Sequence, residues 1–600
     1  MKLSDYVMQV VAAEGVKHVF MLPGGGAMHL NDSLGRCDGV EFICNLHEQA
    51  SAIAAEAYAR VTNNLGVAMV TSGPGSTNAI TGVAGAWLDS TPCLFLSGQV
   101  KRADLKGQSG LRMLGVQEID IVSLVSPITK YAVTITDPNT VRYHLEKALY
   151  LARHGRRGPA WLDFPLDVQA AEIDPQSQRG FDAVSEGFTS RTPMDVRPSV
   201  DTMLELLTSS ERPVLLLGNG VRLAGAADRV VRFVERLGIP VLTTWLGLDL
   251  IGDDHPLHFG RPGGIAPRGA NFTLQNADCL VTIGARLDMA LTAYAHERFA
   301  RGAKKVMVDV DPAEIAKMKT TIHLPIVADA AEVIDHILTR VPGNDTFRRE
   351  AWLSRCRDWR SRYPLVLPAH RETTDGVSMY YFSEVLTEEL SADDVVAPSS
   401  SGFASEIFFL NFKVKHGQRV FHNRGTGAMG FGLPASIGAC IASGHRRTVS
   451  VDGDGGFQMN IQELATVANL QLPIKFFVVN NRGYASIRTS QTNYFDLLVG
   501  ADDTSGLRLP DVRKVAAAYG LATAEIVGPE NVRDRVREVL DFAGPIVCEV
   551  RVPADEARGP RVASAQRPDG SMVSKPLEDL WPFLDREEFL ANMIVPALED

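Results

Sequence analysis

Residues 450–483 read SVDGDGGFQMNIQELATVANLQLPIKFFVVNNRG. The pattern predicts a buried strand over 448–451, a glycine turn, an amphipathic helix, a second apolar strand over 474–479 and then Asn480-Asn481. Gly453, Gly455 and Gly456 leave backbone N–H groups free to close on a phosphate at the start of that helix. Asp454 offers a carboxylate to a hard cation beside it. Asn481, at the end of the following strand, supplies a second oxygen. The 27 residues from Asp454 to Asn481 (481 − 454) make one strand-turn-helix-strand unit, so both can reach one crevice at the carboxyl ends of adjacent parallel strands. Such a crevice suits Mg²⁺ bridging a diphosphate. A GDG tripeptide alone is more simply a tight turn; the helix, and the NN directly after an apolar strand, make the reading specific.

Working outward, 600 residues exceed one hydrophobic core and suggest about three or four domains. Apolar content of 45% with 22% charged residues describes an ordinary soluble globular chain. Sixty basic against 71 acidic residues, with no basic block, argue against a nucleic-acid partner. No apolar run reaches membrane-spanning length, and the N-terminus carries Asp5 and Glu14 in a short amphipathic helix, unlike a leader or an anchor. Seven scattered cysteines without CxxC spacing read as reduced core residues of a cytoplasmic protein, not as zinc ligands.

Residues 1–170 alternate helices with apolar strands at 18–22, 40–45, 67–71 and 93–97, the signature of a parallel sheet. Glycine turns follow two of them, at 23–26, including Gly26, and at 72–75; each is equally plain turn chemistry. Glu48 opens an alanine-rich helix directly after a strand. It is either a solvated first-turn acid or a group at the sheet's carboxyl edge, where ligands bind. A polar linker is expected over 171–200, a second α/β unit over 190–342 and a second linker around a charged helix over 347–362. The middle unit carries Gly218-Asn219-Gly220, Arg286 and Asp288 after one strand, and Asp309 after another. These suit a nucleotide, although Arg286 is also readable as a surface cation. The third unit spans 376–553, and its glycines at 425–432 permit either ligand approach or helix packing. The expectation is an α/β fold of three doubly wound parallel-sheet domains, at 1–170, 190–342 and 376–553, with 554–600 as a tail covering the active site. VAMVTSGPGSTN in the first unit and VSVDGDGGFQMN in the third share one layout, giving two similar halves around a crevice.

PGGGAMHL, LHEQASAIAAEAYAR, TSGPGSTNAITGVAGAWLDSTP, GARLD, VDVDPAEI, GAMGFGLPASIGA and GDGG through NN follow one another along nearly the whole chain. In that order they resemble the thiamin diphosphate (ThDP)-dependent 2-oxo acid decarboxylases and carboligases, and most of all the acetolactate synthase branch. The resemblance implies that Glu48 is the catalytic carboxyl that bonds the cofactor's pyrimidine N1′. It implies that Asp454, Asn481 and the Gly483 carbonyl hold Mg²⁺, that Met429 bends the cofactor, and that the Gly427 carbonyl accepts from its 4′-amino group. It further implies a largely structural FAD in the middle unit, held around Arg286, Asp288, Asp309 and Asp329. Each active site is expected to combine two subunits, in a homodimer or homotetramer.

Departures from the branch bear on the substrate. Acetolactate synthases continue GARFD as DR, where this chain has Ala290; they place a Trp where Ser490 or Gln491 falls, and a Phe where Val116 precedes Gln117-Glu118. Gly26, Val116, Gln117, Ala290, Ser490 and Gln491 are the residues expected to line the substrate pocket. A buried carboxylate without its cation is costly, which favours a bulky neutral aldehyde, ketone or keto-sugar nucleotide as acceptor of the two-carbon unit from a pyruvate-type donor. The alternatives are an acetolactate synthase catalytic subunit condensing two 2-oxo acids, or a flavin-dependent 2-oxo acid oxidase.

Overall fold

The computed structural model describes residues 1–188, 195–566 and 572–598. Part of the expected first linker, including the expected start of the middle unit at residue 190, and residues 567–571 of the tail lie outside the described residues.

Three parallel sheets carry the chain. The first contains β1 (His18–Met21), β2 (Glu41–Cys44), β3 (Gly66–Val70), β4 (Cys93–Gln99), β5 (Tyr131–Thr134) and β6 (Ala160–Pro165), in the order β2-β1-β3-β4-β6-β5. The second contains β7 (Pro213–Leu217), β8 (Val241–Thr243), β9 (Cys279–Ile283), β10 (Lys304–Asp309) and β11 (Leu324–Val327), in the order β11-β10-β9-β7-β8. The third contains β12 (Val395–Val396), β13 (Arg419–Val420), β14 (Thr448–Gly453), β15 (Ile474–Asn480), β16 (Ala522–Ile526) and β17 (Ile546–Arg551), in the order β13-β12-β14-β15-β17-β16. The first and third orders are the same permutation, so the shared layout of their sequences extends to topology. The central strands are apolar on both faces and covered by helices on both sides, as parallel sheets require.

First and third units pack most extensively through a pair of helices. The alanine-rich helix Glu48–Thr62 lies on Gly432–Ala442, and Phe20, Ala54 and Ala55 share an apolar core with Leu433, Ile437 and Cys440. Small residues on both faces let the backbones approach, so the glycine at 438 serves helix packing.

The expected second linker is instead part of the middle unit. In the helix Glu350–Arg362, the side chains of Trp352, Leu353, Cys356 and Trp359 make an apolar stripe buried in the middle core, and the Trp359 ring lies 5.7 Å from Phe272. The many charges on the other face hid that stripe in composition. The later residues of the tail pack on the middle unit, where Asn592 Oδ1 accepts from Trp359 Nε1 at 2.9 Å and Leu577 O from Asn271 Nδ2 at 2.7 Å, whereas its start holds to the third unit, with Glu556 accepting from Met379 N at 2.8 Å and Gly559 N donating to the Tyr380 hydroxyl at 2.8 Å. Among the described residues no helix is long and apolar enough to cross a membrane.

Candidate active site and cofactor cavity

β14 and β15 run side by side in register, so Asp454 and Asn481 leave the same sheet edge. Asp454 is buried. Its Oδ1 accepts the Gly455 N–H at 2.8 Å and its Oδ2 the Gly483 N–H at 2.9 Å. Burial pushes its carboxyl up to about 6, a penalty that an adjacent cation offsets. Each carboxylate oxygen keeps a further lone pair. Asn481 is also buried, and its Oδ1 has no hydrogen-bond partner. A buried amide oxygen without a donor is destabilising unless something occupies it. The pair therefore fits a hard cation such as Mg²⁺; the nearby Gly483 carbonyl accepts from Ala485 N at 3.1 Å and keeps a second lone pair. Gly483 has φ +125°, and a Cβ there would run into the Ala501 carbonyl.

One expectation about this stretch is corrected. Residues 454–460 form turns, and helix begins only with a short 3₁₀ turn Ile461–Glu463 and then Leu464–Asn469. The GDGG glycines are not at a helix N-terminus; Gly455 is pressed under the Tyr484 ring and Gly456 against Asp452. Any phosphate would be met by turn N–H groups without the dipole of a following helix.

The loop 423–432 lies before the helix Gly432–Ala442. Asn423 Oδ1 accepts from Thr426 N at 3.1 Å and Thr426 Oγ1 at 2.6 Å, Gly427 has φ +57°, and Gly430 has φ +80° with no room for a Cβ beside Met459. Between them Met429 leaves 39% of its surface exposed, against the ordinary core placement of a Met.

Glu48 begins its helix at the carboxyl edge of the first sheet, after β2. It is 6% exposed, and its Oε2 accepts from Asn78 Nδ2 at 3.0 Å, so it is not a solvated first-turn acid. Among the described residues no hydrogen bond joins Glu48 to Asp454, Asn481, Gly427 or Met429. What touches its loop is Glu463 of the third unit, which accepts from Asn45 Nδ2 at 2.9 Å and Leu46 N at 2.8 Å. Asn45, Asn78 and Glu463 were not singled out by pattern, because polar residues inside a helix or after a strand look solvated until their partners are known.

The expected substrate residues fall in three places. Gly26 and Gln117 flank the 71–75 turn: a Cβ on Gly26 would meet Ser72 Oγ at 2.6 Å, and one on Gly73 would meet Gln117 O at 2.8 Å. Val116 beside them is exposed. Ser490 and Gln491 lie on the helix Ala485–Tyr494, where Ser490 Oγ bonds back to Ile487 O. Gln491 uses both amide ends on Val499, at 3.1 and 2.9 Å, and so closes its own loop. Ala290 lies elsewhere, in the wall of a large cavity.

That cavity, of about 510 Å³, opens at the carboxyl edge of the middle sheet. Arg286, Asp288, Asp309 and Asp329 all line it, together with Asn219, Gly220 and Gly284. The two glycine turns touch: a Cβ on Gly220 would lie 2.6 Å from Gly284 Cα, which explains both glycines as close backbone approach. Asp309 is pushed up to about 6 by burial. Asp329 caps the helix Ala330–Arg340 through Ala331 N at 2.8 Å, and Asp288 accepts from Leu291 N at 2.9 Å. Arg153, Arg156 and Arg157 of the first unit and Arg558 and Arg561 of the tail complete the wall. The run Arg153 to Arg157 is a cationic signal visible in the sequence itself. The volume is that of a small-molecule site, and Arg558, Arg561 and Val562 of the tail form part of its wall.

Three sequence profiles match in order: the N-terminal TPP binding domain of thiamine pyrophosphate enzymes over residues 1–124, their central domain over 200–337 and their C-terminal TPP binding domain over 401–550. The chain is 33% identical over 569 residues to a probable acetolactate synthase large subunit of Methanocaldococcus jannaschii, covering 93% of each chain. It is 30% identical over 570 residues to the acetolactate synthase large subunit of Cyanidium caldarium, covering 93% of this chain and 94% of that one. Against the chloroplastic acetolactate synthase 2 of Nicotiana tabacum it is 32% identical over 575 residues, 94% of this chain and 84% of the other. With three matching α/β domains and a shared length, the chain belongs to the thiamin diphosphate-dependent enzymes of the acetolactate synthase-like family.

Proposed function

We propose that the protein is a ThDP- and Mg²⁺-dependent carboligase that decarboxylates a 2-oxo acid of the pyruvate type and joins the two-carbon unit to a carbonyl acceptor. The single observation that carries this is the buried, unpartnered Asn481 Oδ1 beside Asp454, a cation seat at the edge of a sheet whose twin sheet presents Glu48. Bound ThDP supplies an electron sink for loss of CO₂. Asp454, Asn481 and the Gly483 carbonyl would hold the metal, while Met429 and the Gly427 carbonyl would contact the cofactor. Glu48, oriented by Asn78, holds or releases a proton at N1′.

The relatives' names favour acetolactate synthesis from two 2-oxo acids. A bulky neutral acceptor, such as a ketone or keto-sugar nucleotide, is the second reading. It rests on Ala290, whose methyl side chain offers no cation for an acceptor carboxylate, and on Gln491, whose neutral amide is already bonded at both ends to Val499. The same cavity residues support FAD in a structural role; an oxidase would instead reduce that flavin. Glu48 and the cation seat share no hydrogen bond in one chain, and Leu111, Met113, Leu114 and Val116 expose apolar side chains on one loop, which supports a homodimer or homotetramer with shared sites. Seven free cysteines support a cytoplasmic setting.

Purified enzyme with ThDP and Mg²⁺ is given labelled pyruvate alone, then with a panel of aldehydes, ketones and sugar nucleotides, and products are identified by mass. Acetolactate from pyruvate alone establishes the first reading. Adducts only with a neutral acceptor establish the second. Oxygen uptake or flavin reduction without either product overturns both.

A further inference from the structure

We propose that Arg488 is the positioning residue of the metal loop, fixing the backbone that presents Asn481; the inference rests on the cation seat described above. The loop that carries the seat runs through two successive residues in the left-handed region, Arg482 at φ +64° and Gly483 at φ +125°. Glycine occupies such a conformation freely, whereas Arg482 does so at a cost that other contacts must offset. Two of those contacts are local: Asn480 Oδ1 accepts from Arg482 N at 3.0 Å and Asp454 Oδ2 from Gly483 N at 2.9 Å.

The third comes from the next helix. Arg488, three residues into Ala485–Tyr494, turns back and donates from Nη2 to Asn481 O at 3.0 Å and to Ala554 O at 2.7 Å, with Nη1 reaching Arg482 O at 3.4 Å. Its side chain is 12% exposed, with Asp502 and Asp555 carboxylates each 3.9 Å away. The carbonyl and side chain of Asn481 hang from one Cα. Holding the carbonyl therefore fixes the backbone from which that side chain projects and, through the 481–482 peptide, the approach of Gly483 to Asp454. A planar guanidinium can serve carbonyls of two segments at once, while an ammonium is a point donor on a floppier stem. Arg488 thus ties the metal loop to the start of the tail at Ala554 without itself touching the cation, in the manner of outer-shell groups that orient metal ligands.

The competing role is a plain staple between helix and tail, which would affect stability alone. The full-length protein is titrated with Mn²⁺ in the presence of ThDP, with free Mn²⁺ counted by electron paramagnetic resonance, alongside far-UV circular dichroism and thermal melting. Arg488→Met is expected to weaken Mn²⁺ half-saturation by about ten-fold with an unchanged circular dichroism spectrum, and Arg488→Lys to fall between it and the wild type. If the Met variant does not fold, the Lys variant decides. A variant that melts lower yet takes up Mn²⁺ like the wild type overturns the proposal and leaves the staple. If the wild type takes up no Mn²⁺ with ThDP, the cation seat itself is refuted and the role of Arg488 falls with it.

Discussion

Gly438 faces the carbonyl oxygen of Ala54 across the contact between the helices Gly432–Ala442 and Glu48–Thr62, so closely that a Cβ on Gly438 would lie inside van der Waals distance of that oxygen. On the opposite side Gly82 is pressed in the same way against the Ala52 Cβ. The helix that starts with Glu48 is therefore gripped from both units. In an open helix Gly→Ala stabilises by about 0.5–1 kcal/mol, whereas forcing a methyl group into a closed backbone contact costs about 1–3 kcal/mol. Gly438→Ala is thus expected to lower the melting temperature by several degrees in calorimetry. A rise would show that the two helices part without cost.

Glu48→Gln keeps an oxygen for Asn78 Nδ2 but removes the proton that the carboxyl exchanges. Turnover is expected to fall by about 10²- to 10⁴-fold, the usual contribution of a positioned acid-base group, with ThDP affinity within a few-fold of the wild type. Steady-state rates and calorimetric titration with ThDP separate the two quantities. Near-normal turnover would remove Glu48 from the chemistry.

The stretch 450–483 was readable because its chemistry is local: an apolar strand, glycines, Asp454 and an Asn after the next strand fix one crevice edge. Central strands such as β3, β4, β7, β9 and β15 were readable for the same reason, since strands covered on both faces are uninterrupted apolar runs, whereas β5, β6, β8, β11, β13, β16 and β17 were not singled out. What escaped was set by partners distant in sequence. Glu463 looks solvated in NIQELATV, yet it is fully buried against Asn45, 418 positions away. Trp352 and Trp359 were hidden in a helix of mostly charged residues. The GDGG glycines suggested a helix N-terminus, whereas Tyr484 and Asp452 explain Gly455 and Gly456 by close packing.

Arg286 points across the middle cavity to the first unit, where its Nη1 lies 3.8 Å from Asp89 Oδ1, a buried oxygen with no hydrogen-bond partner. Asp89 Oδ2 meanwhile accepts from Arg60 Nη2 at 2.9 Å and Arg424 N at 2.7 Å, so all three units meet at this carboxylate. Arg286→Ala is expected to lower the flavin retained through purification at least several-fold, read by visible absorbance of the denatured supernatant, while ThDP binding persists. Wild-type protein that carries no flavin and takes up none on reconstitution would remove FAD from the cavity.

Asp163 is fully buried among the first unit's central strands, with Oδ1 accepting from Ser97 Oγ at 2.6 Å and Oδ2 from Thr134 Oγ1 at 2.9 Å and Gln99 Nε2 at 3.2 Å. Burial outweighs those three donors and pushes its carboxyl from 3.8 up to about 6. The folded state therefore binds the proton more tightly than the unfolded chain. The stabilisation this brings is present below pH 3.8 and is lost as pH rises to about 6, on the order of 2–3 kcal/mol in all. Asp163→Asn removes the titration while keeping the geometry: the amide N–H₂ can donate to Ser97 Oγ, and the amide oxygen can accept from Thr134 and Gln99. The variant's melting temperature is expected to gain on the wild type between about pH 4 and pH 6 and to hold a constant lead above that. A difference that does not change with pH over this window would show that Asp163 stays ionised, and that its three donors outweigh the burial.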